Sequence, residues 1–358
     1  MLLFKKKYFY YLYIFFLGLF FFFNEFSTNL ALSNNYNIQK VKVEEEYDLD
    51  FDKTKVINKA FFKAFEILVY KIVEKQDRTI LKKISLKEIK SLVETFSIIN
   101  ERFLNNKYIS EFNVQFNKRK ILKFFNDKNI ITSSLDEIDT FILPILIDLN
   151  TNELYHLNQN LFYKNWNLIS QKYHLIKYVL PNDDIEDYSI IKKNIRNIEN
   201  YNFDEIKNKY NLSNEIILII LKSNSQIRVF SKIKLDSKRM LSNNIHDLDD
   251  INNENEINNI ILKIKENYED KWKSINKINT SIELPIKLSV NSKNINLSEQ
   301  LESILHKIDL ISNYKIEIFN KKEIIYKIIF NSTHDKFLNI MNSHNFNIDT
   351  SKETWRIK

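Results

Sequence analysis

The clearest hydrophobic pattern in the chain lies between residues 54 and 75. From Phe61 to Val73, apolar side chains recur at intervals of three and four residues, and lysines and glutamates lie on the opposite side. This spacing puts the apolar side chains on one face, so it predicts an amphipathic helix. A shorter helix is expected to follow it.

After Glu111, the spacing between successive apolar side chains changes to two residues. Phe112, Val114 and Phe116 alternate with polar side chains, a pattern that predicts a strand buried on one face. Asn117 follows, and its side chain can cap a helix whose apolar positions lie within residues 121–125.

Residues 141–147 form a continuous apolar run, which is too short to cross a membrane and has the length of a central strand. Pro144 lies inside the run and cannot donate to a ladder. Either the strand is an edge at that point, or its pairing starts later. Helix, strand, helix and strand in this order predict an α/β layer.

The remaining pattern extends this α/β domain, which we place at residues 34–278. Residues 236–256 are rich in Asn and Asp and predict a loop, and a long helix at residues 256–275 is expected to pack back on the first sheet. Apolar periodicity also predicts a helix over 162–173, a strand over 175–180, helices near 191–198 and 203–210, and a hairpin of strands over 215–221 and 227–235.

Residues 279–358 carry a pattern of their own. Alternation from Ile282 to Val290 predicts a first strand, and Asn296 with Glu299 forms a capping pair for the helix after it. The full order, βαββαβ, is that of ferredoxin-like units. The expected fold class is α/β (α+β), with an N-terminal mixed-sheet domain and a smaller ferredoxin-like C-terminal domain.

The N-terminus carries the most specific functional signal. Three lysines at residues 5–7 precede an uncharged run at residues 8–23, and Ala-Leu-Ser at residues 31–33 supplies small residues for signal peptidase. Residues 1–33 are therefore predicted to be a secretory signal peptide. The alternative is an uncleaved inner-membrane anchor formed by residues 8–23. In both cases the rest of the chain is exported to the periplasm and meets the membrane only through this segment.

The amino-acid composition excludes several kinds of functional site. The 358-residue chain has no cysteine, which excludes disulfides, zinc–thiolate sites and thiol nucleophiles. Its one glycine is Gly18, so the exported part cannot contain a P-loop, a dinucleotide fingerprint or a nucleophile elbow. Asparagine is abundant and can occupy left-handed turn positions in place of glycine.

The charge balance is only mildly basic. The formal net charge of +7 falls to +5 once residues 1–33 are removed, because three lysines and Glu25 go with them. The basic run Lys118-Arg119-Lys120 has no interleaved aromatic residues. A solvated face accounts for it, and we expect no nucleic-acid partner.

The densest carboxylate group follows the strand predicted at residues 175–180 and consists of Asp183, Asp184, Glu186 and Asp187. It has neither the spacing nor the glycine of an EF-hand. A solvated loop that caps the next helix accounts for it better than a calcium site or an acid–base pair does.

Other residues with chemical potential are scattered. Aromatic residues at helical spacing predict core packing in preference to a ligand groove; they are Phe162, Trp166 and Trp272. The histidines show no metal-binding spacing; they are His156, His174, His246, His306, His334 and His344. No catalytic, cofactor-binding or metal-binding residue is predicted, although a Ser-His-Asp triad assembled from distant residues would leave no motif.

Taken together, several of these segments resemble a known family. They are the helix at 60–73, the strand ending Asn113-Val114-Gln115-Phe116-Asn117, the helix at 121–129, the strand at 142–149, and Tyr178–Pro181 leading to Asp184–Asp187. The pattern resembles the proteobacterial domain of unknown function 2066 (DUF2066), over most of the exported chain. The family tends to place glycine after the first helix, where this chain has Val73. The resemblance implies an exported envelope protein with a signal peptide, and it transfers no reaction and no functional residues.

Two classes of function remain. The first is a non-catalytic envelope module that binds or scaffolds another protein or an envelope polymer. The second is a periplasmic hydrolase whose active site has no motif. We expect the first, because export is well supported whereas every catalytic signature is missing. An exposed sheet edge would favour the binding module, and a converging cluster of buried polar side chains would favour the hydrolase.

Overall fold

The computed structural model describes residues 36–279 and 282–357, and the predicted signal segment at residues 1–33 lies outside them. Helices alternate with mixed β-sheets, so the expected α/β fold class is confirmed. The α-helices are α1 Lys53–Ile72, α2 Leu86–Leu92, α3 Lys118–Asn126, α4 Leu161–Trp166, α5 Ile185–Lys193, α6 Asp204–Lys207, α7 Glu254–Ile275, α8 Ile295–Lys307 and α9 His334–Ser343. Short 3₁₀ helices occupy Lys75–Lys82, Leu157–Gln159, Ile195–Asn197 and Asn208–Tyr210.

The first sheet consists of β1 Asn37–Glu46, β2 Val93–Leu104 and β3 Lys107–Phe116. The strands are antiparallel and lie in the order β1–β3–β2. Phe112, Val114 and Phe116 of β3 are buried, which confirms the predicted alternation. They share one core with the apolar face of α1.

Helix α1 begins where the Asp52 carboxylate accepts a hydrogen bond from the Thr54 amide at 2.7 Å. It ends at Ile72, and the next residue, Val73, has an extended backbone that needs no glycine. The buried stripe from Val56 to Ile72 is the predicted amphipathic face. Full burial of each large apolar side chain contributes about 1.5–3 kcal/mol, so this stripe fixes the helix on the sheet. Helix α3 is likewise capped as predicted, since Asn117 accepts a hydrogen bond from the Lys120 amide at 3.1 Å.

Two short strands, β4 Thr132–Ser133 and β11 Lys277–Ile278, form an antiparallel pair of their own. The second sheet consists of β5 Ile138–Asp148, β6 Glu153–Leu154, β7 Ile176–Val179, β8 Glu215–Ser223, β9 Gln226–Leu235 and β10 Lys238–Asp247. Its order is β10–β9–β8–β5–β6, and β7 also pairs with β5. The predicted hairpin of β8 and β9 is confirmed. Strand β10 occupies residues 238–247 of the segment 236–256, so the loop predicted there is wrong over about half of its length. It forms because β9 offers it a paired edge, and its residues are largely exposed.

Strand β5 is an edge at Pro144. On one side it pairs in parallel with β8, where Pro144 faces Leu218. On the other side β7 pairs with residues 138–141 and β6 pairs with residues 147–148, and Pro144 falls between them. The first of the two arrangements expected for the proline is therefore the correct one.

Both faces of β5 are buried, which explains its continuous apolar run. Ile142 and Leu146 belong to the main core, which also contains the apolar face of α7. The alternate residues, such as Leu143 and Ile145, face a smaller core made with residues 191–206. The apolar face of α7 thus shares one core with strands of both the first and the second sheets.

The C-terminal sheet consists of β12 Leu284–Asn291, β13 Ile311–Phe319, β14 Glu323–Phe330, β15 Ile348–Asp349 and β16 Trp355–Ile357. Its order is β13–β14–β12–β16–β15. The predicted βαββαβ succession is present, with β16 added in parallel beside β12. Helix α8 is capped by Asn294, whose side chain accepts a hydrogen bond from the Leu297 amide at 3.1 Å, and not by the predicted Asn296. This sheet has its own core, to which Leu122 of α3 also belongs.

Left-handed turns in the described chain are made mainly by asparagine. Nine residues there have positive φ, and seven of them are asparagine, as expected for a chain so poor in glycine. They are Asn105, Asn106, Asn129, Asn152, Asn211, Asn224 and Asn345, and the other two are Lys40 and Asp236.

Candidate functional site

The acidic residues after β7 form an ion-pair cluster at the start of α5. Asp184 caps the helix, as predicted, because its carboxylate accepts a hydrogen bond from the Glu186 amide at 2.9 Å. Asp187 is buried, and its carboxylate lies 2.7 Å from Lys209 Nζ. The same ammonium lies 3.2 Å from Glu186 and 3.6 Å from Asp184. The expectation of a solvated loop is therefore wrong for Asp187.

Lys209 lies 22 residues after Asp187, so no local spacing could identify it as the partner. The hydrogen bond that it donates to Asp187 raises the pKa of the lysine. In residues 36–279 and 282–357, no group of three or more histidine or carboxylate side chains converges so as to hold a metal ion.

Neutralising the exposed part of this cluster should have little effect. We expect Asp183→Asn with Asp184→Asn to lower the free energy of unfolding by less than about 1 kcal/mol, because asparagine also caps helices. Lys209→Met should cost more, on the order of 2 kcal/mol, because it leaves the buried Asp187 carboxylate unpaired. Urea denaturation measures both.

Calcium or magnesium should not raise the melting temperature of the natural protein. A rise of several degrees that the Asp183→Asn and Asp184→Asn pair abolishes would contradict the assignment of this cluster as ion pairs and a helix cap.

A second polar group lies on α7, within the main core. The Lys265 ammonium is buried and donates to the carbonyl oxygens of Trp166 and Ile169 at 2.5 and 2.6 Å. Glu269 is buried one turn later and accepts hydrogen bonds from the amides of Leu175 and Ile176 at about 3.0 Å. Burial lowers the pKa of Lys265 to about 8 and raises the pKa of Glu269.

The same helix carries a third buried charge, Lys273, which donates to the Val73 carbonyl at 3.3 Å. Burial, and then the charge of Arg78, lowers the pKa of Lys273 to about 8. Arg78 in turn lies 2.5 Å from Glu266 and 3.3 Å from Asp270. Each buried charge on α7 is therefore bound to backbone groups or to an opposite charge, which identifies a structural role in holding the segments around it.

The predicted aromatic stripe belongs to this core. Phe162, Trp166 and Trp272 are all buried, which confirms core packing for them. The Lys265 ammonium lies 5.4 Å from the Trp166 ring centre, and such a contact contributes about 0.5–2 kcal/mol.

His174 stands beside these lysines and makes stability depend on pH. Burial, and then the charges of Lys265 and Lys273, lowers its pKa to about 4, against the weaker opposing charge of Glu266. The folded state therefore binds fewer protons than the unfolded state between pH 6.5 and pH 4, so stability is lost as the pH falls through this window.

We expect a His174→Gln variant to lose less stability than the natural protein between pH 6.5 and pH 4. The measurement is urea denaturation at a series of pH values. His306→Gln, at an exposed position on α8, serves as the control and should follow the natural protein. Equal acid sensitivity in all three proteins would contradict the role of His174.

A third polar group lies where the main core meets the C-terminal core. The Asp309 carboxylate is buried, lies 3.1 Å from Lys118 Nζ and accepts a hydrogen bond from the Leu135 amide at 3.2 Å. Asp136 accepts a hydrogen bond from Ser134 Oγ at 2.6 Å, and burial raises its pKa. The basic run at residues 118–120 is therefore solvated only in part, since its first lysine belongs to this junction.

An exposed apolar strand, β2, forms one edge of the first sheet. Ten of its twelve residues are exposed, and no strand of the described chain pairs with its outer side. Four large apolar side chains on β2 are 44–61% exposed; they are Phe96, Ile99, Phe103 and Leu104. Long apolar edges of this kind favour pairing with another chain.

Aromatic rings extend this edge at the β2–β3 turn. The Phe103 ring lies 4.7 Å from the Tyr47 ring and 5.2 Å from the Tyr108 ring. Phe51 packs against both tyrosines, and Leu49 beside them is fully exposed. The β2 edge thus ends in an aromatic cluster, and such rings contribute strongly to protein interfaces.

The sequence predicted no strand at β2, because its exposed residues do not alternate in polarity. The signal that could have found it is the density of Phe and Ile over residues 96–104, which is high for an exposed segment.

No protein-family model matches the chain, and no curated protein matches it. Among the described residues, no helix is both long and apolar enough to cross a membrane.

Proposed function

We propose that the protein is an exported cell-envelope protein that binds a partner protein along the β2 edge and catalyses no reaction. The unpaired, apolar edge of β2 is the observation that carries this proposal. The buried charges of α7 are bound to backbone groups or to opposite charges, which supports a structural role for them.

A protein is a better partner than a polysaccharide for this surface. An exposed strand offers a row of backbone amides and carbonyls that another extended peptide can complete. Residues 100–104 pair with β3 without a register shift, beyond the bulge between Ile98 and Asn100. Phe103 and Leu104 then supply apolar contact area for the side chains of the added strand.

The test is photocrosslinking in intact cells. With p-benzoylphenylalanine in place of Phe96 or Phe103, we expect a crosslinked protein partner. The same replacement at Phe319 is the matched control, because Phe319 is 73% exposed on a different edge strand, β13. Phe103→Glu should then weaken the Phe96 crosslink.

Equal crosslinking from all three positions would mean that the edge attracts proteins without selectivity and would count against the proposal. A crosslink only to a second copy of the chain would mean that the β2 edge mediates self-association and does not bind a different protein.

Export is expected from the pattern of residues 1–33. A fusion of residues 1–40 to a reporter active only in the periplasm should be active. Replacement of Lys5, Lys6 and Lys7 with Glu should reduce that activity several-fold, because the positive flank is the part that stays in the cytoplasm. A conservative Arg replacement of the three lysines is the control and should leave the reporter active. Full activity of the Glu variant would contradict export by this segment.

A periplasmic hydrolase is the second candidate, and the junction favours it. The Tyr36 hydroxyl is buried and makes no hydrogen bond among the described residues. Burial, and then the charges of Asp309 and Asp136, raises its pKa. A pair of acids with different environments can act as acid and base. Loss of a hydrolytic activity of the natural protein in an Asp136→Asn variant that remains folded would support this candidate.

A further inference from the structure

A cavity of about 560 Å³ opens on the outer face of the second sheet, between strands β8–β10 and residues 201–212. This volume is within the range of small-molecule sites, about 300–1,000 Å³. Two rows of side chains cross the sheet beneath it. One row is Glu215, Lys234 and Arg239, and the next is Ile217, Lys232 and Leu241.

Cations outnumber anions in this cavity. Lys207 lies 2.8 Å from Asp204 and 2.9 Å from Glu215, so one lysine engages both carboxylates of the lining. Within the described chain, no carboxylate lies within ion-pair distance of Lys232, Lys234 or Arg239, the three other cations. The site therefore carries an excess of positive charge.

Two of these cations lie opposite each other on adjacent strands. Lys234 and Arg239 are direct cross-strand partners, and like charges placed opposite each other destabilise a sheet. Lys232 Nζ donates to the Tyr201 carbonyl at 2.7 Å and lies over the Phe203 ring, in a partly buried position. Burial, and then the charge of Lys207, lowers the pKa of Lys232, against the opposing charge of Glu199.

The structure assigns this cavity as a binding site for an organic phosphate with an apolar body. Arg239 offers the planar donor pair that matches phosphate oxygens, and Lys232 and Lys234 add charge on the same face. Ile217, Leu241 and Phe203 supply apolar walls for the body of the ligand. The ligand chemistry is shared by lipid phosphates and soluble aryl phosphates. This site is independent of the β2 edge.

Calorimetric titration of the full-length protein separates these sources. The probes are inorganic phosphate, phenyl phosphate and decyl phosphate below its micelle concentration, with decyl maltoside as the uncharged control. We expect the two organic phosphates to bind at least ten-fold more tightly than inorganic phosphate and than decyl maltoside. Tighter binding of decyl phosphate identifies a lipid source, and tighter binding of phenyl phosphate identifies a soluble one.

Variants locate the binding. The double variant Lys234→Gln with Arg239→Gln should bind the tighter-binding of the two organic phosphates with an affinity at least ten-fold lower. Lys238→Gln is the matched control, because it removes an exposed charge from the same strand outside the lining, and it should change affinity less than two-fold. Leu241→Ser should lower the affinity for decyl phosphate and leave the affinity for inorganic phosphate unchanged.

Stability gives a readout that needs no ligand. Arg239→Gln removes one of two like charges that lie opposite each other on adjacent strands, so its melting temperature should equal or exceed that of the natural protein. Equal affinities in the Lys234–Arg239 and Lys238 variants would overturn the assignment. Binding of decyl maltoside as tight as that of decyl phosphate, or a lower melting temperature for Arg239→Gln, would also overturn it.

Discussion

Replacement of Glu269 with leucine is expected to lower the free energy of unfolding by about 3–5 kcal/mol, the cost of breaking a buried charged contact. The carboxylate accepts hydrogen bonds from two buried amides, those of Leu175 and Ile176, and leucine accepts none. Lys265, one turn earlier on α7, would also lose its nearest opposite charge. Equilibrium urea denaturation measures the loss.

Two variants separate the hydrogen bonds from the charge. Glu269→Gln keeps one oxygen acceptor, so it should lose less stability than Glu269→Leu. Lys263→Leu, at an exposed position on the same helix, should change stability by no more than about 0.5 kcal/mol. If leucine at position 269 proved as stable as glutamine, Glu269 would not hold the segment that leads into β7.

The second large effect is expected at Asp309, which joins the two cores. Asp309→Leu should destabilise the protein by about 3 kcal/mol, because it removes the carboxylate that pairs with Lys118 and accepts the hydrogen bond of the Leu135 amide. The loss should fall mainly on the C-terminal core, so we expect the single unfolding transition to broaden or to divide in two. Scanning calorimetry is the measurement.

Lys118→Met completes a double-mutant cycle with Asp309→Leu. A coupling energy of at least about 1 kcal/mol is expected for two side chains in direct contact. Additive losses, with one sharp transition in every variant, would show that the junction does not link the two cores.

Much of the fold follows from periodicity. The helix at α1, the alternating strand β3, the two-sided strand β5 and the βαββαβ order all have cores on one or both faces, and burial imposes a period on the sequence. Edge strands escape this constraint. Strands β2 and β10 form because a neighbouring strand offers backbone partners. Their side chains are largely exposed, so burial imposes no hydrophobic period on their sequences.

The candidate sites were harder to predict for a related reason. Lys209 and Asp187 meet through the fold, and so do Lys118 and Asp309, at separations of 22 and 191 residues along the chain. The buried charges Lys265, Glu269 and Lys273 follow helical spacing. Charged residues on a solvent-exposed helix face have the same spacing, so the sequence does not show that these three are buried. The cationic cavity arises only when β10, expected to be a loop, brings Arg239 beside Lys234.

The asparagine turns also have a consequence for the unfolded protein. A left-handed residue with a side chain is strained by about 1–2 kcal/mol relative to one without, and asparagine lessens this strain by local hydrogen bonding. The same side chain restricts the backbone of the denatured chain, which a glycine would leave freer by about 0.4–1 kcal/mol per position. With almost no glycine, this polypeptide has less configurational entropy to lose when it folds. Part of the stability of the native state is therefore set by the stiffness of the denatured ensemble, where none of the native contacts exists.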